Sequence, residues 1–148
     1  RLADRGPRIG MVILAAVDGE PGSDRVVAAA NDLATGLGAE LVVLHVVPVE
    51  EEAAAARSEL SALVRSVVGE TGAVDLRVEP EQTRRDLPTG RTADHVLRVA
   101  ADVDANYLVV GSRKRTGLGK ILLGSVSKLI MANADVPVVT VEQEPRDA

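Results

Sequence analysis

The chain has 148 residues, the length of one domain, and lacks cysteine, which excludes a disulfide framework and a thiolate metal site. Apolar residues make up 46% and aromatic residues 1%, so the core must be aliphatic and few rings can stack on nucleic-acid bases. The net charge is −5, yet no acidic residue lies between Asp104 and Asp135, where several basic residues lie. This stretch indicates either a site for an anionic ligand or a solvated loop, and we expect no nucleic-acid partner.

Predicted strands and helices alternate along the chain. Continuous apolar runs predict strands that are buried on both faces, and apolar residues three and four positions apart predict helices. In chain order the prediction is a strand over Met11–Val17, a helix from Ser23 or Asp24 to Gly36, a strand over Leu41–Val47, a helix over Glu50–Gly69, a strand over Leu76–Glu79, a loop over Glu81–Arg91, a helix over Thr92–Ala101, a strand over Tyr107–Val110, a loop over Gly111–Gly119, a helix to about Asn133, and a strand over Val136–Val141.

This order predicts an α/β fold with an open five-stranded parallel sheet and helices on both faces. Pro137 cannot donate a ladder hydrogen bond, so the last strand is expected at an edge of the sheet. That strand carries little charge to protect its edge, which predicts a homodimer paired through Val136–Val141. We expect the domain to cover residues 11–142, with a flexible extension over 1–10 and a tail over 143–148. No apolar run is long enough to cross a membrane, so we expect no membrane partner and a cytoplasmic location.

The ends of two predicted strands carry groups that suit a nucleotide. Ligands of open parallel sheets bind beyond the carboxyl ends of the strands. The first strand ends at Asp18, whose carboxylate can accept hydrogen bonds from a ribose, and we expect Asp18 to serve ligand affinity rather than folding. The fourth strand runs into Gly111 and a basic, glycine-bearing loop, and Gly124–Ser127 is typical of a helix N-terminus that binds phosphate.

The histidines predict neither a metal site nor catalysis. His45 lies in a predicted buried strand and is interpreted as a core residue, whereas His95 lies in a polar helix and is expected to be exposed. Two histidines so placed, without cysteine, favour no metal site, and no arrangement suggests a Ser-His-Asp triad. We therefore predict no catalytic residue.

The common nucleotide motifs are not matched. A P-loop needs glycine at position 114 and Ser or Thr at 121, where the chain has Lys114 and Ile121. A G-x-G-x-x-G motif from Gly117 needs glycine at position 122, where the chain has Leu122. A receiver domain needs a phosphorylatable aspartate at the end of the third strand, which ends near Glu79-Pro80.

Several segments together resemble the universal stress protein family. They are Ala15-Ala16-Val17-Asp18-Gly19, Leu44-His45-Val46-Val47, Tyr107-Leu108-Val109-Val110-Gly111-Ser112 and Leu122-Leu123-Gly124-Ser125-Val126-Ser127, followed by Val136-Pro137-Val138. The resemblance covers about Met11 to Val141 and is most specific over Val110–Ser127. It implies a five-stranded parallel sheet, dimerisation and, as in some members of the family, binding of ATP or AMP.

The resemblance also implies the residues of the site. The nucleotide-binding branch is similar to a Gly-x2-Gly-x9-Gly-Ser/Thr pattern, in which Gly111 and Gly124-Ser125 match and Lys114 replaces the middle glycine. Asp18 and Val46 are then expected to face the adenosine. The phosphate path is expected to involve Gly111, Arg113, Gly124, Ser125, Val126 and Ser127. The expected cofactor-binding set is completed by Ala16, Val17 and Lys114.

Three functions stay open at this point. The favoured one is a stress-response protein that binds an adenine nucleotide, ATP or AMP, with slow ATP hydrolysis at most, because no residue is an evident general base. The alternative is a stress protein of the same fold that binds no nucleotide and acts through protein–protein interaction. Lys114 separates these two, since it can obstruct a close backbone approach or supply a charge to a phosphate. An ATP pyrophosphatase ranks last, because Asp18–Ser23 does not supply the Ser-Gly-Gly-x-Asp-Ser loop.

Overall fold

The computed structural model describes residues 10–69, 74–81, 91–112, 114–115, 121–122 and 124–144. The strands are β1 (Val12–Val17), β2 (Glu40–Val47), β3 (Val74–Pro80), β4 (Tyr107–Ser112), β5 (Lys114–Arg115), β6 (Ile121–Leu122) and β7 (Val138–Glu142). The helices are α1 (Ser23–Leu37), α2 (Ala53–Val68), α3 (Arg91–Asp102) and α4 (Ser125–Asn133), with a 3₁₀ turn over Glu50–Glu52 before α2.

The main sheet has five strands in the order β3-β2-β1-β4-β7, and all four pairings are parallel. The predicted α/β fold and the edge position of the last strand are therefore confirmed. β5 and β6 form a separate antiparallel pair beyond the end of β4. Because β1 pairs with both β2 and β4, the direction of strand order reverses beside β1, which is where such sheets bind ligands.

Helices cover both faces of this sheet, as predicted. Alternate residues of the central strands point to opposite sides. On one side Leu14 and Leu108 pack with residues of α3 and α4, and on the other Ile13 and Val109 pack with residues of α1 and α2. These side chains are fully buried, so the aliphatic core fixes β1 and β4 side by side.

Several strand boundaries differ from the prediction, and the end of β4 and the start of β7 differ for clear physical reasons. β4 continues through Gly111 and Ser112 because Ser112 pairs with Glu142, and its hydroxyl donates to the Val141 carbonyl at 3.4 Å. β7 begins at Val138, two residues later than predicted. Pro137 contributes its carbonyl, which accepts from the Leu108 N–H at 3.0 Å, but has no N–H to extend the ladder.

Some predictions fall on parts of the chain that are not described. Most of the predicted N-terminal extension, most of the loop over 81–91, and residues 145–148 of the predicted tail lie outside the described residues. Among the helices that the structure describes, none is both long and apolar enough to span a membrane.

Candidate functional site

A cleft of about 860 Å³ lies at the carboxyl ends of β1, β2 and β4 and reaches the N-terminus of α4. The structure brings nine of the eleven predicted site residues to it: Ala16, Val17, Asp18, Val46, Gly111, Gly124, Ser125, Val126 and Ser127. The remaining two are Arg113, which lies outside the described residues, and Lys114, whose backbone forms part of β5 but whose side chain is not described.

Asp18 follows β1 and has a structural role that sequence reasoning did not assign to it. Its Oδ1 accepts a hydrogen bond from the Glu20 N–H at 2.9 Å. The Ser23 hydroxyl lies 3.3 Å from this oxygen and donates to the Glu20 carbonyl at 2.7 Å, so these contacts hold the turn that starts α1. The side-chain amide of Gln143 also donates to this oxygen, at 3.3 Å. Asp18 therefore joins the turn after β1 to the end of β7 while lining the cleft.

Gln143 was not among the predicted site residues, and its residue number falls in the predicted tail. It is 6% exposed, lines the cleft, and its N–H donates to the Ser112 carbonyl at 2.9 Å. Its Nε2 donates to Asp18 and, at 3.4 Å, to the carbonyl of Pro21. Sequence position alone offered a signal, because in a parallel sheet the residue after the last strand lies at the same edge as the ends of the other strands.

Gly111 and Gly22 make room for Gln143. A Cβ at Gly111 would collide with the Gln143 side chain, and a Cβ at Gly22 would collide with the Gln143 backbone. Gly22 also has φ 94°, a conformation that favours glycine. The sequence analysis placed Gly111 on the phosphate path, whereas in the structure its missing side chain makes room for the side-chain amide of Gln143.

The N-terminus of α4 forms the second wall of the cleft. Gly124 is the N-cap residue, is extended with φ −66° and ψ 164°, and has no side chain with which to cap the helix. Ser125 and Val126 are exposed, and the N–H groups of a first helical turn have no acceptor within their own helix. The hydroxyl of Ser127 donates to the Gly111 carbonyl at 2.9 Å, which links α4 to β4, so this proton is not available to a phosphate.

His45 lines the cleft and is half-buried, so its interpretation as a core residue is only partly correct. The ring lies against Gly19 in the turn after β1. Burial lowers the pKa of His45, and this effect outweighs the nearby carboxylates of Asp18 and Glu59, which raise it. His45 also lines a smaller neighbouring cleft of about 360 Å³ between this turn and α2.

His95 was predicted to be exposed, and that prediction is wrong. Its side chain is buried between α3 and β3, with 4% exposure, and Nε2 lies 2.7 Å from Oε1 of Glu79. The carboxylate compensates for the burial of Nε2, and this partner in β3 could not be read from the residues next to His95 in the sequence. Within the described ranges, no cluster of His, Asp and Glu is suited to hold a metal ion.

The sequence matches the universal stress protein family over residues 11–142. Relatives include a universal stress protein of Mycobacterium tuberculosis, 35% identical over 138 residues, and one of Thermus aquaticus, 33% identical over 138 residues. The match covers 88% of this chain and 45% of the mycobacterial protein, and 87% of this chain and 96% of the Thermus protein. The chain thus spans less than half the length of its mycobacterial relative.

Solved structures agree with this assignment. A universal stress protein of Archaeoglobus fulgidus superposes with a TM-score of 0.67 at 28% identity, covering 90% of this chain and 99% of its own. Two further structures share the fold: a universal stress protein in complex with cAMP (TM-score 0.66, 22% identity) and a universal stress protein from Archaeoglobus fulgidus in complex with dAMP (TM-score 0.62, 24% identity). The match to the cAMP complex covers 91% of this chain and 98% of the matched chain, and the match to the dAMP complex covers 90% and 99%. From the family match over residues 11–142 and the relatives of similar length, the chain belongs to the universal stress protein family.

Proposed function

We propose that this chain is a stress-response protein that binds an adenine nucleotide, AMP or ATP, in the cleft at the carboxyl ends of β1 and β4. The observation that carries the proposal is the chemistry of the two walls. Asp18 supplies acceptors for sugar hydroxyls on one side, and the start of α4 supplies N–H donors for phosphate on the other. The volume of about 860 Å³ is within the usual range for small-molecule sites, about 300–1,000 Å³.

The apolar lining supports a base in the same cleft. Ala16, Val46 and Val96 line it beside the polar walls, so a flat ring can be desolvated while its sugar and phosphate meet polar groups. Solved universal stress proteins carry cAMP and dAMP, which are adenine nucleotides with one phosphate. These complexes support adenine as the base. ATP, which has two more phosphates than AMP, is the longer of the two candidate ligands.

Calorimetric titration with adenosine, AMP and ATP, each with and without Mg²⁺, tests the proposal, and GMP controls for the base. The most informative variant is Ser125→Asp. Ser125 is exposed at the start of α4, where a carboxylate favours the helix but repels phosphate. We expect Ser125→Asp to fold at least as stably as the original protein, to bind AMP about tenfold more weakly, and to bind adenosine almost unchanged.

Two results contradict the proposal in different ways. An equal loss of adenosine and AMP affinity in Ser125→Asp places the phosphate away from α4. Failure of the original protein to bind any of the three ligands favours the alternative, a protein of this fold that acts through protein–protein interaction.

A homodimer paired through β7 is the second part of the proposal. Both outer strands of the sheet have one paired neighbour in the described chain, but they differ in charge. β3 carries Asp75, Arg77 and Glu79 along its length, whereas in β7 only Glu142, at its end, is charged. Charged side chains protect an edge from pairing, so β7 is the edge suited to a second copy.

A further inference from the structure

Gln143 lies beside Asp18 in the proposed nucleotide site. We propose that Gln143 is a positioning residue: its carboxamide holds the Asp18 carboxylate in the orientation that recognises the neighbouring hydroxyls of a ribose. The inference rests on the proposed function and adds a ligand class to it, namely ribonucleotides in preference to 2′-deoxyribonucleotides.

The burial of Gln143 gives its amide a fixed orientation. A side-chain amide that is 6% exposed requires hydrogen bonds to offset the loss of water. Its Nε2 faces two acceptors, Oδ1 of Asp18 at 3.3 Å and the carbonyl of Pro21 at 3.4 Å. An amide flip would bring Oε1 against these acceptors, so the nitrogen has to point toward Asp18.

The contact from Gln143 differs in kind from the local contacts of Asp18. The Glu20 N–H also donates to Oδ1 and the Ser23 hydroxyl lies 3.3 Å from it, but both belong to the turn that contains Asp18 and the start of α1. Gln143 comes from the end of β7, 125 positions away in the sequence. Its bond therefore fixes the carboxylate relative to the sheet edge that forms the cleft.

The fold reserves space for this amide. A side chain at Gly111 would collide with the side chain of Gln143, and a side chain at Gly22 would collide with the backbone of Gln143. The Gly111 carbonyl also accepts a hydrogen bond from the Ser127 hydroxyl at 2.9 Å. Gly111 therefore lies between Gln143, which holds Asp18, and Ser127, which belongs to α4. A ligand that spans the two walls therefore meets parts whose relative positions are fixed.

Charge selects the sugar as the ligand group that meets Asp18. A carboxylate repels phosphate and accepts from hydroxyl groups, whereas the N–H groups at the start of α4 attract phosphate. Two neighbouring hydroxyls can both donate to one correctly oriented carboxylate. A 2′-deoxyribose lacks one of them and therefore gains less from that orientation. We accordingly expect dAMP, which a relative at 24% identity binds, to be the weaker ligand of this protein.

The affinities of AMP and 2′-deoxy-AMP for the original protein and for Gln143→Met test the proposal. Methionine preserves length and packing but cannot donate a hydrogen bond. We expect the original protein to prefer AMP, and Gln143→Met to bind AMP about tenfold more weakly with a smaller loss for 2′-deoxy-AMP, so that the preference falls. Gln143→Glu, which has nearly the same shape, provides a second variant that should lose the same preference through repulsion of Asp18.

Arg25→Met is the matched control for a merely structural effect. The Arg25 Nε donates to the Glu142 carbonyl at 2.8 Å, so it anchors the residue before Gln143 without lining the cleft. We expect this variant to melt at a lower temperature and to keep the preference for AMP.

The remaining outcomes of these binding experiments would each contradict the proposal. An unchanged preference in Gln143→Met, or an equal loss for both ligands, overturns the positioning role. Tighter binding of both ligands shows that Gln143 obstructs the cleft and also overturns it. If the original protein binds neither ligand, the proposed function fails and this inference fails with it. That failure is seen with the original protein alone, before any variant is tested.

Discussion

The ring of His45 lies against Gly19 at the carboxyl end of β2, half-buried and lining the cleft. Loss of water around the ring lowers its pKa, and the charges of Asp18, Glu59 and Glu52 oppose that effect without cancelling it. The folded protein therefore binds a proton at His45 more weakly than the unfolded chain does, whose pKa there is about 6.5. Acid should consequently favour the unfolded chain.

The first prediction concerns this pH dependence. Above a pH of about 6.5 His45 is neutral in both states and contributes no slope. As the pH falls below that value the unfolded chain takes up its proton first, so the free energy of unfolding decreases until the lower pKa of the folded state is passed. Urea denaturation over this range should show a shallower decrease for His45→Gln than for the original protein.

A nuclear magnetic resonance titration of the ring separates the causes of the shift. Asp18→Asn retains an oxygen for the turn but removes the charge that raises the pKa of His45. The pKa of His45 should therefore fall further in this variant. A rise would mean that Asp18 is not the attractive partner that its position indicates.

The end of β7 packs against two glycines, and the two contacts predict different responses to substitution. At Gly111 a new Cβ meets the flexible side chain of Gln143, whereas at Gly22 it meets the Gln143 backbone and the φ of 94° is unfavourable as well. Gly111→Ala should destabilise the protein by about 1–3 kcal/mol, and Gln143→Ala should relieve most of this cost. Gly22→Ala should destabilise by a similar or greater amount in either background.

Thermal or urea denaturation of the single and double variants measures this coupling. Gly36→Ala is the control, because the described residues leave open space around Gly36 within α1. Alanine there should stabilise the protein by about 0.5–1 kcal/mol. Additive effects of Gly111→Ala and Gln143→Ala would contradict the packing described for this edge.

Elements were more predictable from the sequence than the contacts between them. A strand buried on both faces has to be apolar throughout, so runs such as the one ending at Val17 identified the sheet directly. The chemistry at the strand ends likewise located the cleft. The roles of Gln143 and His95 depend instead on partners far away in the sequence, Asp18 in one case and Glu79 in the other. No local pattern contains that information.

Association through β7 is the prediction for the whole molecule. Val139 is 37% exposed on this edge strand, and a two-fold pairing brings two copies of it into one interface. Val139→Lys should therefore weaken a dimer at least about tenfold, because both strands gain a charge at an edge that must lose water. Sedimentation velocity at micromolar concentration measures the change.

Leu37→Lys is the matched control for the dimer, since Leu37 is an exposed apolar residue at the end of α1 and belongs to no strand of the sheet. It should sediment as the original protein does. A monomeric original protein, or equal dissociation by both substitutions, argues against pairing through β7.

The separation of 125 positions between Asp18 and Gln143 also bears on the order of folding. Closing so long a loop is entropically costly until intervening strands have docked, so this contact belongs to the late, non-local part of assembly. A partly folded chain with β1 and β2 paired has the turn that contains Asp18 but lacks the amide that orients it. A ligand that requires both therefore binds the completed fold alone, and its presence in the cell draws late intermediates toward that state by mass action.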